Sequence, residues 1–148
     1  MPEARKSKNA RKKRASIARR KNVQASLSFT EKISMARKGV SKKQLTDIKE
    51  EADLDYDQLS TILATSRASL ISKKGVERFN QDTSERIMLL ADVIAYGREV
   101  FGDKHILNEW LRTPSEALGN VTPLSLMDTF YGIVEVKREL GRIAYGIY

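Results

Sequence analysis

The sequence predicts an almost wholly α-helical chain. Three observations carry that expectation. Apolar residues recur at three- and four-residue spacing from Phe29 onwards, nothing alternates with period two, and the eight glycines fall singly, each suited to a helix end. With 148 residues, 41% of them hydrophobic and 31% charged, the chain can bury the core of one small domain or two closely associated ones. A large multidomain enzyme is excluded by length.

Residues 1–28 hold few apolar side chains, and ten of the first 21 residues are Lys or Arg. Such a segment cannot bury enough to offset its ordering entropy, so a basic flexible arm is expected, with a helical tendency from its Ala, Arg and Lys content. It reads equally as a solubilising tail or as a nucleic-acid arm, with Arg11-Lys12-Lys13-Arg14 as an import signal a third reading.

From Ser28 the pattern changes. Ser28 or Thr30 can cap a helix carrying Phe29, Ile33 and Ala36, which Gly39 ends. Ser41 caps a second, with Leu45, Ile48 and Ala52 on one face. Asp55 opens a third, with Tyr56, Leu59, Ile62 and Leu63 inward. After the short break Thr65-Ser66, Ser66 caps a fourth helix bearing Leu70 and Ile71, closed by Gly75. Two short helices across a tight turn, braced by a preceding helix, make a helix-turn-helix over 29–80.

Thr83-Ser84-Glu85-Arg86-Ile87 opens the longest helix, running to about Phe101. Ile87, Leu90, Ala91, Ile94 and Phe101 form one apolar face; Leu89, Val93, Tyr96 and Val100 form another, separated by the acidic edge Glu85, Asp92, Glu99. A helix apolar around most of its circumference lies between layers or at a subunit interface, so the second face is the candidate dimerisation surface. Lys104 to Arg112 forms a short helix stopped by Thr113-Pro114, and residues 115–120 form a loop or single turn. Thr122 caps a helix with Pro123 at its first position, where the missing N–H costs nothing. A last helix runs from Tyr131 to Leu140, Gly141 ends it, and Arg142-Ile143-Ala144-Tyr145-Gly146-Ile147-Tyr148 trails as an apolar-aromatic tail. That tail either folds back on its own core or enters a partner's cleft, where aromatics act as anchors and Arg142 supplies a charge.

Charge divides the chain. Of the net +8, residues 1–43 hold +13, from 15 Lys/Arg against Glu3 and Glu31, and residues 44–148 hold −5. An anionic partner suits the first segment, and a different task suits the second. Cysteine is absent and histidine occurs once, so no disulfide framework, thiolate site, cysteine nucleophile or His-rich metal site can form. The apolar stretch Ile87 to Tyr96 is too short for a bilayer, and no apolar h-region marks a secretory signal; a soluble, cytoplasmic protein without a membrane partner is expected.

No catalytic constellation stands out. His105 beside Asp103 suits a surface or capping role, and the acids Asp47, Glu50, Glu51, Asp53, Asp55 and Asp57 fall on solvated helix faces without Ca²⁺-loop spacing. There is no Gly-rich phosphate loop. The sequence predicts a non-enzyme with no metal and no cofactor. The nucleic-acid signal is better: on the helix from Ser66 to Lys74, Leu70 faces the core while Ser66, Arg67, Ser69, Ser72, Lys73 and Lys74 can meet phosphates or base edges. Ala64-Thr65 in the turn, where such domains often place Gly and an apolar residue, and the acidic scaffold helices leave a packing-only helix as the alternative.

Several submotifs then carry a resemblance. Ser84-Glu85-Arg86-Ile87, Arg98-Glu99-Val100-Phe101-Gly102-Asp103, Trp110-Leu111-Arg112-Thr113-Pro114, Ala117-Leu118-Gly119, Thr122-Pro123-Leu124, Met127-Asp128-Thr129 and Gly141-Arg142-Ile143-Ala144-Tyr145-Gly146 follow in that order. Together they resemble the C-terminal domain of the Xre-like (MbcA/ParS) antitoxins of bacterial RES-type toxin–antitoxin modules. Residues 41–78 resemble, less closely, that family's Xre-like helix-turn-helix. The resemblance implies an all-α protein with a DNA-binding and dimerisation region at 29–80 and a toxin-binding domain at 81–148; the basic arm at 1–28 falls outside it. It implies a RES-domain toxin that consumes NAD as partner, its NAD pocket blocked by Arg142, Ile143, Tyr145, Gly146 and Tyr148 with Leu118 and Gly119 nearby. It also implies a homodimer within a larger complex that binds operator DNA and represses its own operon. The alternatives are a stand-alone helix-turn-helix regulator without a toxin partner and an RNA- or ribosome-associated protein dominated by its arm.

Overall fold

A computed structural model of the chain describes residues 27–146; the arm expected at 1–28 lies almost entirely outside them, as do Ile147 and Tyr148. Among the described residues are eight α-helices and one 3₁₀ turn: α1 (Phe29–Lys38), α2 (Lys42–Glu51), α3 (Tyr56–Leu63), α4 (Arg67–Ser72), α5 (Gln81–Phe101), α6 (Lys104–Leu111), the turn Glu116–Leu118, α7 (Pro123–Leu126) and α8 (Phe130–Ala144). The only β pairing among them is two isolated bridges, Ser41 with Arg78 and Ser115 with Val121. The fold is all-α, as the spacing predicts.

Local sequence sets most of the starts. Ser28, Ser41 and Asp55 each accept a hydrogen bond from the third residue of α1, α2 and α3, and Glu31, Gln44 and Gln58 reach back to the capping residue's own N–H. These reciprocal capping boxes satisfy two otherwise unpaired donors apiece. Between α3 and α4 the chain turns through Ala64, held left-handed at φ 50°.

The long helix departs from expectation at its start. Asn80, not a residue in the Thr83 run, caps α5 by accepting from the Thr83 N–H at 2.9 Å. Thr83 and Ser84 are therefore inside the helix and buried. The Ser84 hydroxyl accepts from the Val40 N–H at 2.8 Å and donates to the Phe79 carbonyl at 3.2 Å, fastening the α1–α2 connection to the long helix.

Helix α5 is the axis of the molecule and packs against α1, α2, α3, α6 and α8. Its Ile87, Leu90, Ala91, Val93 and Ile94 join Leu45, Leu59, Leu63, Leu70, Leu107, Leu111, Met127, Val136 and Leu140 in one continuous apolar cluster. At roughly 1.5–3 kcal/mol per large side chain taken out of water, this burial dominates stability. It also corrects one expectation: Val93 is fully buried in the chain's own core and is not on a dimerisation surface. Leu89, Tyr96 and Val100, placed with it on the second face, are half-buried and pack against the same cluster. Periodicity shows that a helix is apolar all round; it does not show which neighbour covers each face.

Three glycines lie inside helices. Gly97 lets α6 approach α5, since a Cβ there would stand 2.5 Å from Leu107 Cδ1; Gly132 admits the Leu126 carbonyl oxygen, 1.6 Å from where its Cβ would be. Gly141 does not end the last helix. Helix α8 continues to Ala144, so Arg142, Ile143 and Ala144 are helical rather than part of a tail.

A polar clamp joins the two halves. Arg98 Nε of α5 lies 2.6 Å from Glu51 Oε1, and Asn108 Nδ2 of α6 donates to the Glu51 carbonyl at 3.4 Å. Arg112 donates from Nη2 to the carbonyls of Ala52 (3.2 Å) and Asp53 (2.5 Å), and from Nη1 to the Asn108 carbonyl (3.1 Å). The carbonyl-rich, partly negative C-terminus of α2 thus meets two guanidinium groups.

Candidate DNA-reading and partner-binding surfaces

Helix α4, with its caps Ser66 and Lys73, holds most of the residues expected to face DNA. Leu70 is fully buried against the core, while Ser66, Arg67, Ala68, Ser69 and Ser72 are exposed. The helix is shorter than expected, ending at Ser72. Lys73 adopts extended backbone and is half-buried, and Lys74 follows it in the loop, so neither extends the helical face. Ser66 is committed to capping: its oxygen accepts from the Ser69 N–H at 3.1 Å and its hydroxyl meets the Ser69 hydroxyl at 2.7 Å. Arg67 reaches back to Asp57 of α3, Nη1 to Oδ1 3.3 Å, with both side chains exposed. An acid therefore sits beside the most forward basic group of α4, a juxtaposition foreshadowed by the acidic character of the scaffold helices.

The second surface gathers around α8. The turn Glu116–Leu118 packs against that helix, bringing Leu118 and Gly119 to the element that carries Arg142 and Ile143. Arg142 Nε lies 2.5 Å from Glu139 Oε2, whose residue is buried, and Ile143 is half-buried. Tyr145, which follows the helix, is 82% exposed, and Gly146 turns left-handed at φ 66°. Tyr148 lies outside the described residues.

At the other end of α8, Phe130 (58% exposed) and Tyr131 (83% exposed) meet edge to face with ring centroids 6.2 Å apart. Val134 continues the stripe on the outer face. Spacing alone had started this helix at Tyr131 and singled out neither aromatic. Thr129, whose hydroxyl oxygen accepts from the Gly132 N–H at 2.9 Å, is the capping signal that places both in the first turn.

His105 is exposed, its Nε2 3.2 Å from Glu109 Oε1. Asp103 caps α6, accepting from the N–H groups of His105 (2.7 Å) and Ile106 (3.1 Å). The bonds from Ile106 and then His105 hold its carboxyl below the usual carboxylate range. Among the described residues no cluster of acids and His could hold a metal, and no helix is long and apolar enough to cross a membrane.

Comparison with known proteins finds two matched regions. Residues 31–92 match the antitoxin Xre-like helix-turn-helix domain, and residues 97–146 match the antitoxin Xre/MbcA/ParS C-terminal toxin-binding domain. Antitoxin Xre of Photorhabdus laumondii is 35% identical over 63% of this chain and 62% of its own length. Antitoxin Xre of Yersinia enterocolitica is 36% identical over 48% of this chain and 49% of its own. The match thus spans less than two thirds of either relative. The Prs ADP-ribosylating antitoxin of a Sphingobium species is 27% identical over 80% of each chain. The two matched regions follow one another along the chain as the helix-turn-helix and the helical region around α8, and the chain belongs to the Xre/MbcA/ParS antitoxin family.

Proposed function

We propose that this chain is the antitoxin of a RES-type module: it binds a RES-domain, NAD-consuming toxin and closes the NAD pocket with the end of α8 and the residues that follow. The observation that carries the reading is Tyr145, 82% exposed one residue beyond an amphipathic helix whose inner face is anchored in the core. A rigid stem ending in an exposed aromatic side chain loses little conformational freedom on entering a cleft, and Gly146 permits close backbone approach. Leu118 and Gly119 flank the stem, and Arg142 lies on it. The relative named for ADP-ribosylation chemistry supports a nucleotide-consuming partner.

The helix-turn-helix binds DNA upstream of its own operon through α4, with Arg67, Ser69 and Ser72 facing the groove and Lys73 and Lys74 reaching phosphate. Dimerisation uses the rim of α5 at Leu89, next to Ile33 of α1, both accessible at a groove of about 430 Å³ between these helices. The chain itself performs no catalysis.

The test is co-expression with the product of the neighbouring gene, with NAD content as the readout. Ending the chain after Ala144 leaves α8 whole; this truncation should keep the thermal transition and lose neutralisation. If the shortened chain still preserves NAD, the blocking-segment mechanism is wrong.

A further inference from the structure

Lys42 has an unusual position for a lysine. It is the first residue of α2, yet only 8% exposed, and among the described residues it forms no ion pair. Lysine is rarely buried so deeply unless its ammonium is satisfied. Here Nζ donates to the carbonyl of Leu70, 28 residues away in the middle of α4, and lies 4.7 Å from the centroid of the Tyr56 ring.

Helix α4 needs that partner. It has six residues, so most of its carbonyls belong to its C-terminal end and lack an intrahelical donor. Its last turn contains no basic residue, and Lys73 leaves in extended conformation. By contrast, α1 ends with Arg37 and Lys38 and a Gly39 N–H bonded to Met35. The ammonium of Lys42 supplies to α4 both the donor and the positive charge that α1 draws from its own last turn. The main chain at the same place reinforces it: the N–H groups of Lys42 and Lys43 donate to the carbonyls of Glu77 (2.8 Å) and Gly75 (2.9 Å), fixing the chain that leaves α4.

Resting on the DNA-binding reading above, we propose that Lys42 is a positioning residue for DNA recognition. It touches no nucleic acid and sets the rotation of α4 about its axis through the Leu70 carbonyl. With Ser66 at the start and Leu70 in the core, it is the third anchor of the helix. Losing it frees a turn that carries Ser69 and Ser72.

The experiment compares the full chain with Lys42→Met and Lys42→Arg, measuring amide exchange and binding to a duplex of the DNA immediately upstream of its own gene. In Lys42→Met, exchange in α4 should rise about tenfold while α5 stays protected, and affinity for that duplex should fall about tenfold. The slope of log affinity against log salt should not change, because a buried ammonium neutralises no phosphate. Lys42→Arg, which keeps a charged donor, should restore most of the affinity. A slope reduced by about one would make Lys42 a phosphate contact and overturn the inference. So would unchanged α4 exchange, or faster exchange in α4 and α5 alike with affinity per folded molecule unaltered. If the wild-type chain shows no preference for the duplex over unrelated DNA, the DNA-binding reading fails and takes the inference with it. Unchanged α4 exchange overturns the inference alone.

Discussion

Replacing Arg112 by alanine should loosen the joint between the helix-turn-helix and the rest of the chain. The side chain makes three hydrogen bonds, to the carbonyls of Ala52, Asp53 and Asn108 at 3.2, 2.5 and 3.1 Å. A bond from a charged donor contributes about 1.5–3 kcal/mol when well buried, but this guanidinium is half-buried and solvent screens it. Discounting to about 0.7 kcal/mol per bond gives a loss of ~2 kcal/mol. At an unfolding entropy near 2.1 cal/mol/K per residue and about 120 folded residues, that lowers Tm by ~8 °C. Circular dichroism during heating and urea titration measures both quantities. Arg112→Lys should recover less than half, because one ammonium cannot reach both the Asn108 carbonyl and the Ala52–Asp53 pair as the two Nη groups of the planar fork do. A Tm within about 2 °C of wild type for Arg112→Ala, equivalent to ~0.5 kcal/mol, would show that the clamp does not stabilise the joint.

Other expectations are as specific. Asp57→Asn removes the acid beside Arg67; stability should change by less than about 0.5 kcal/mol, while affinity for duplex DNA at low salt rises about three- to tenfold in a filter-binding or anisotropy titration. Ala64→Gly relieves a left-handed alanine at φ 50° and should stabilise by about 0.5–1 kcal/mol in urea, the backbone relief exceeding the added entropy of the unfolded chain. Gly132→Ala drives a methyl into the Leu126 carbonyl and should cost at least ~3 kcal/mol or prevent folding, seen as a lost cooperative transition. Asp103 has a lowered carboxyl pKa in the folded chain, so its contribution is present above the ordinary aspartate value and disappears as pH falls through the folded one. Asp103→Asn should lower Tm near pH 7 and flatten its decline below about pH 4, so that the two Tm curves converge in acid.

What the sequence revealed is what local chemistry decides. Ser41, Asp55, Ser66 and Thr122 cap the helices they were expected to cap, and Ser28 rather than Thr30 caps the first, because each cap bonds the residue three positions ahead. The errors come where distant partners decide. Thr83 looked like a start, but the buried hydroxyl next to it serves Val40, 44 residues away, and Asn80 was free to cap. Gly141 looked like a stop, yet a glycine inside a helix costs only about 1 kcal/mol relative to alanine, less than the burial of Leu140 and Ile143 returns. Lys42 reads as a solvated charge at a helix start until the Leu70 carbonyl is seen beside it. Of the candidate site, exposure of Arg67 and Ser69 followed from one turn of helix around Leu70. The Phe130–Tyr131 pair did not, because an aromatic next to a cap is as readily core as surface.

The two matched regions, 31–92 and 97–146, meet inside α5, which crosses the gap between them without a break. Nature or an engineer wishing to pair a new operator specificity with an old toxin specificity therefore has no linker to cut. A chimera spliced at residues 80–81 would hand the incoming helix-turn-helix a Ser84 hydroxyl, an Arg98 and an Arg112 shaped for the departed Val40, Glu51 and Ala52. Functional recombinants should instead cross over within residues 93–96 and exchange those contacts in matched sets. The two matched regions are thereby coupled through one continuous rod.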